Sequence, residues 1–206
     1  MNKSNITEGR KALSDERRAF LRGRMEAPAA QHPMVRELEG NLLALGGEAV
    51  VFPPSLPPSS VFPFERIVRD GQVWRLRWAR IPGRPSGCHE NSAAEWWRSR
   101  GRAQIVTGWA LTPDDGLWRQ HSWCMRDGRI LETTSASWSA YFGAVLTGRE
   151  AFMFTATEDM SPVRRLVERN LAPPAWLVTQ LRAEMDETAT TSHHTVRDDG
   201  GPTGAA

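Results

Sequence analysis

Cysteine is scarce in this chain: Cys88 and Cys124 are the only two in 206 residues. A secreted scaffold held by disulfides needs more bridges than one pair allows, so stability has to come from packing. Lysine is confined to Lys3 and Lys11, and the positive charge is almost all arginine. The formal net charge is only +2, which by itself points to neither a nucleic-acid nor a membrane surface. No apolar run approaches the ~20 residues needed to span a bilayer, and the N-terminus carries no apolar signal segment. These absences set the expectation of a cytoplasmic protein with reduced thiols, with neither nucleic acid nor membrane among its partners.

What is present is tryptophan. Nine fall between Trp74 and Trp176, so dense packing is expected in the middle of the chain. Residues 1–52 read as an N-terminal helical segment. Ser14 is an N-cap before SDERRAFLRGRMEA, and Met34, Leu38, Leu42 and Leu43 recur at helical spacing up to Gly46-Gly47. The proline-rich stretch 53–64 is too donor-poor for a helix or central strand and reads as a connector. Residues 65–160 are strand-rich around one helix. Residues 161–186 are helical, and 187–206, poor in apolar residues, are expected to be disordered.

Within 65–160, Asp70-Gly71 between ERIVRD and QVWRLRWARI predicts a hairpin. A helix is expected at about 88–99, closed by Gly101. AQIVTGWAL, RQHSWCMR and RILETT follow as strands, the last two joined by Asp127-Gly128. YFGAVL and AFMFTA suggest a further strand or a turn with a strand. The expected fold is α+β, a helix packed on a small antiparallel sheet with flanking helices.

Cys88 follows the turn-forming Ser86-Gly87 at the start of the helix in GCHENSAAEWW. Free N–H groups and the macrodipole of a first helical turn stabilise a thiolate and can hold an oxyanion. Alternation along HSWCMR puts His121, Trp123 and Met125 on one strand face and Ser122 and Cys124 on the other. The two-residue connector then sets Glu132 near His121 across the ladder. A thiol at a helix start, an imidazole and a carboxylate on paired strands are the parts of a cysteine nucleophile with its base and orienting acid. His89 competes as base, but consecutive helical residues point about 100° apart, so exposure or capping is expected of it. Asn91 and Glu95 are candidates to line the cleft.

Cys88 at a helix start, IVTGWAL, HSW and ETT together resemble the transglutaminase-like branch of the papain-like cysteine enzymes, over about residues 86–146. The resemblance implies a papain-like core with Cys88 as nucleophile, His121 as base and Glu132 as third member. Gly108-Trp109, Trp123 and Thr134 correspond to accompanying residues. Glutamate stands where the family has aspartate, and the 33-residue step from Cys88 to His121 is compact. The implied activity is a hydrolase or acyltransferase acting on a peptide or protein amide, or a thioester, without a cofactor or metal. Trp78, Arg84, Asn91 and Trp123 are the candidate substrate-binding residues.

Two other classes draw on the same residues. Cys88, His89, His121 and Cys124 make a conceivable Cys₂His₂ zinc set in a binding domain, although opposite strand faces separate His121 from Cys124. Arg75, Arg77, Arg80 and Arg84 with Trp74 and Trp78 suggest a basic aromatic surface for single-stranded nucleic acid; the alternative is an arginine-faced strand with core tryptophans.

Overall fold

The centre of the molecule is a hairpin pair whose connections the sequence dictates. In the computed structural model, which describes residues 13–54, 62–75, 78–134, 137–158 and 162–194, β4 (Gln104–Leu111) and β5 (Leu117–Arg126) pair antiparallel, with Gly108 opposite His121. Asp127 and Gly128 turn the chain into β6 (Arg129–Glu132) at φ 52° and 70°. Positive φ at both turn residues matches the right-handed twist of the flanking strands, which is why Asp-Gly serves there. β7 (Ala140–Val145) covers the other edge of β4.

The second edge of β5 is shared. β1 (Ala49–Val51) runs parallel to residues 117–119, and β6 takes 124–126, so no strand pairing falls on residues 120–123 of that edge among the described residues. His121 lies inside this interval. β2 (Gln72–Trp74) pairs antiparallel with β7, while β3 (Trp78–Arg80) pairs parallel with β6. The sheet is thus mixed, not purely antiparallel as expected, and its order is β2-β7-β4-β5-β6-β3 with β1 beside β5.

That order forces curvature. In a flat sheet the outer strands of six would stand about 24 Å apart, whereas the four Cα steps from Trp74 to Trp78 reach at most about 15 Å. The expected strand QVWRLRWARI is therefore divided, its first part on one end of the sheet and its later part on the other. The expected hairpin at Asp70-Gly71 is absent, because ERIVRD lies in helix α3 (Phe64–Asp70). Phe64, Ile67 and Val68 recur at helical spacing and bury one face against the core containing Trp109 and Phe142. Gly71 closes it where a Cβ would stand 2.3 Å from the Ile67 carbonyl and 2.4 Å from the Phe142 ring.

Helix α1 (Asp15–Gln31) starts as expected, the Ser14 hydroxyl accepting the Arg17 N–H at 3.2 Å. In α2 (Met34–Ala44) Val35, Leu38 and Leu42 are buried, whereas Leu43 faces outward. Residues on both sides of the proline-rich connector share one core: Leu38, Val50 and Phe52 pack with Phe62, Trp109 and Trp118. Residues 55–61 of that connector lie outside the described residues. Helix α4 (Cys88–Arg98) lies against β4, β5 and α5 (Gly148–Thr157). AFMFTA is thus helical, not a strand, because Thr147 and Glu150 form a reciprocal capping box that starts α5.

Helix α6 (Pro162–Glu168) follows α5, and α7 (Ala175–His194) packs Leu177 into a second core with Trp96, Ile105 and Phe154. Glu184 of α7 accepts the N–H groups of Gly148 and Arg149, binding α7 to the start of α5. Helical structure continues to His194, beyond residue 187 where an unstructured tail was expected; residues 195–206 lie outside the described residues. The protein is a mixed α and β fold with a curled sheet.

Candidate active site

The loop entering α4 is fixed from both sides. Ile81 N–H donates to the Glu132 carbonyl at 2.9 Å, continuing the β3–β6 pairing. Asn91 then uses its whole amide: Oδ1 accepts the Arg84 N–H at 2.9 Å, and Nδ2 donates to the carbonyls of Arg84 at 2.8 Å and Thr133 at 2.9 Å. Gly83 threads between these groups, where a Cβ would stand 2.1 Å from the Thr133 oxygen and 2.6 Å from Asn91 Nδ2. Ser86 turns the chain at φ 59°, Gly87 caps without a side chain, and Cys88 is the first residue of the helix. Its first-turn amides have no intrahelical acceptor.

On the sheet, His121 and Glu132 occupy adjacent strands and meet. His121 Nε2 lies 3.0 Å from Glu132 Oε2, which also accepts the Tyr141 hydroxyl at 3.1 Å. Oε1 accepts the N–H and the hydroxyl of Thr134, both at 2.8 Å. The carboxylate is fully buried and every lone-pair direction is used, so it is a fixed anion, not a mobile one. The imidazole is 2% exposed and sits against Trp138 at 4.7 Å, Trp123 at 6.1 Å and Tyr141 at 6.3 Å between ring centres. With Nε2 on Glu132, Nδ1 is the nitrogen left on the ring, which is electrostatically coupled to Cys88.

Electrostatics follow from these contacts. Burial pushes the Cys88 thiol up, but hydrogen bonds from His121 and His89 and the positive charge of both rings outweigh it, bringing the thiol down to about 5. Burial alone would lower His121; its hydrogen bonds to Cys88 and Glu132 and their negative charge instead raise it to about 9. Glu132 is held below the ordinary carboxylate range: its burial opposes this, and His121 and Thr134 prevail. Around neutral pH the resting pair is a thiolate facing an imidazolium. Cys124 is the opposite case, fully buried with its thiol pushed up chiefly by burial and its Sγ directed at the Ser92 carbonyl at 3.6 Å.

Cys88, His121 and Glu132 therefore come together, while the candidate substrate-binding residues divide. Trp123 has no exposed surface and packs beneath His121 against Tyr141 and Trp74, so it is core and does not line a cleft. Asn91 is the staple of the entry loop. Trp78 is 37% exposed on the outer strand β3, and Arg84 is exposed, paired with Glu90 at 2.8 Å. Glu95 lies buried between Arg98 and Arg126, not in a cleft. His89 departs most from expectation: its Nδ1 lies 3.4 Å from Cys88 Sγ, close enough to serve its neighbour because Nδ1 is only two bonds from the ring's own Cβ.

Tyr141 and Trp138 are the site residues that pattern reading missed. Tyr141 carries only a strand signal in YFGAVL, and Trp138 follows ETT with nothing local to distinguish it. Among the alternatives, the fourth member of the zinc set, Cys124, is directed at a helix carbonyl. Of the basic aromatic set, Arg75 donates to the Leu45 carbonyl at 2.8 Å and Trp74 packs on Trp123, while Arg77 lies outside the described residues.

A cavity of about 330 Å³ opens beside Cys88, lined by residues 84–87 with His89, Glu90 and Glu158. It is bounded by both chain neighbours of Cys88.

Comparison with protein-family models, curated proteins and solved structures gives no match.

Proposed function

We propose that this chain is a cysteine-dependent hydrolase or acyltransferase that acts on an amide or thioester carbonyl through Cys88, His121 and Glu132, and that its core is of the papain-like, transglutaminase-like kind. One observation carries the proposal: a half-buried thiol at a helix start is electrostatically coupled to a buried imidazole whose Nε2 is 3.0 Å from a saturated carboxylate. A structural cysteine has no use for that arrangement, as Cys124 illustrates.

The chemistry follows from the resting charges. The Cys88 thiolate attacks the carbonyl carbon, and the first-turn amides of α4 hold the oxyanion. His121 balances the thiolate, with Glu132 fixing its tautomer and keeping the ring charged. Water or an amine then releases the acyl group. Binding falls to the cavity beside Gly87 and His89, with Arg84 at its mouth and Trp78 on the neighbouring edge strand.

Iodoacetamide labelling followed by peptide mapping tests the nucleophile. Cys88 is expected to alkylate at pH 6, far faster than Cys124. Equal, slow labelling of both thiols would remove the basis for cysteine chemistry.

A further inference from the structure

Two imidazoles flank the Cys88 sulfur in opposite surroundings. His121 is sealed, with Nε2 committed to Glu132 and its ring enclosed by Trp138, Trp123 and Tyr141. His89 is only half-buried. Its Nδ1 is 3.4 Å from Sγ, its ring rests on Phe154 at 5.6 Å, and it forms part of the wall of the cavity. Neither His121 nor Glu132 reaches that wall. A departing group needs room and a proton; the room is in the cavity, and the imidazole bordering it is His89.

We infer that His89 is a second catalytic imidazole, which exchanges protons with the leaving group and with water in the cavity while His121 remains a fixed counter-ion to the thiolate. The inference rests on the cysteine chemistry proposed above. Its steps balance. The sulfur lone pair forms the S–C bond as the carbonyl π pair moves to oxygen. On collapse that pair re-forms C=O, the bond to the leaving nitrogen or sulfur breaks with its electrons, and the leaving atom takes the proton from His89. The neutral ring then removes a proton from water as the water oxygen attacks the acyl carbon. A second collapse returns the thiolate and leaves His89 protonated as before.

The surroundings suit a ring that carries a proton at rest. Burial works against the charged form, but the Cys88 thiolate and the Glu158 carboxylate outweigh it and His121 opposes only weakly, so His89 is raised from its ordinary value. Across the cavity, Arg84 and Glu90 neutralise each other at 2.8 Å. Phe154 holds the ring plane without competing for its nitrogens.

The test uses the purified full-length protein and two acetyl donors. p-Nitrophenyl acetate expels a group that needs no proton, whereas trifluoroethyl acetate expels an alkoxide that does. Acetylation of Cys88 is followed by mass spectrometry for the wild type, His89→Gln and His89→Phe, the last keeping the contact with Phe154. In both variants the rate with trifluoroethyl acetate relative to p-nitrophenyl acetate is expected to fall roughly 100-fold, the usual range for a lost general acid. A ratio unchanged from wild type in the Gln and Phe variants overturns the role of His89. Iodoacetamide labelling of the same samples at pH 6 separates the two levels: retained Cys88 labelling with an unchanged ratio sinks His89 alone, while no preference for Cys88 in the wild type sinks the nucleophile.

Discussion

Tyr141 donates its hydroxyl to the same Glu132 oxygen that faces His121 Nε2, at 3.1 Å against 3.0 Å for the ring. Two donors on one oxygen, with Thr134 holding the other, keep the carboxylate in place against the imidazole.

The first prediction concerns pH. The reactive form requires a deprotonated thiol, so iodoacetamide labelling of Cys88 rises as pH increases through about 5. The charged imidazole persists until pH passes about 9. Glu132→Gln removes the anion that keeps His121 charged, so the rise in labelling moves to higher pH. Tyr141→Phe frees Glu132 Oε2 of one donor and leaves the rise nearly in place. Stopped-flow labelling between pH 4 and 10 measures all three proteins.

Folding stability carries the same signature. His121 has a folded value above its ordinary 6.5, so its contribution is complete below that value and disappears as pH rises through about 9. Cys88 has a folded value below its ordinary 9.0, so its contribution is present at alkaline pH and disappears as pH falls through about 5. Cys88→Ala is expected to fold and to lose the acidic limb of the urea-midpoint profile. Cys124→Ala is expected to keep the nucleophile but cost about 1 kcal/mol through a small cavity in a closed core.

Asn91→Ala cuts three hydrogen bonds that hold the loop before Cys88. With the site partly exposed, the expected cost is roughly 1–3 kcal/mol in urea denaturation. Labelling of Cys88 should slow, because the helix start loses its fixed entry. Gly83→Ala should do the same by a different route, its new methyl group displacing Asn91 from the Thr133 carbonyl. Unchanged labelling in both variants would show that the loop does not orient Cys88.

Trp138→Ala uncovers one face of His121. Water reaching the ring weakens its bond to Glu132 by raising the local dielectric. The rise in Cys88 labelling is expected to shift to higher pH, a change in the same direction as in Glu132→Gln but smaller.

Much of the site was legible because its parts are local. The Gly-Cys start of α4, the two-fold alternation of HSWCMR and the Asp-Gly turn each fix geometry within a few residues, and together they bring His121 to Glu132. What closes around them is not local. Tyr141 arrives from β7 and Trp138 from the segment before it, and neither announces a partner in its own neighbourhood. His89 was misjudged because helical phase alone ignores how near Nδ1 lies to the backbone. ERIVRD was misread for a related reason: an Asp-Gly pair is a strong hairpin signal only when both flanks are strands, and the 3.6-residue spacing of Phe64, Ile67 and Val68 prevailed. QVWRLRWARI does run through the sheet, but no periodicity shows that one passage serves both of its ends.

That passage has a kinetic meaning. Residues 72–80 pair Val73 with Phe142 and Ala79 with Leu131, so the curl is completed only by contacts roughly 50 to 70 residues apart, the kind that slow folding. β4, β5 and β6 can assemble as neighbours long before this closure, bringing His121 and Glu132 together early. Because β3 leads directly through residues 81–87 into α4, the sulfur reaches its imidazole late. During refolding, native tryptophan emission from the strands should recover first, and alkylation at low pH should return only with the slowest phase.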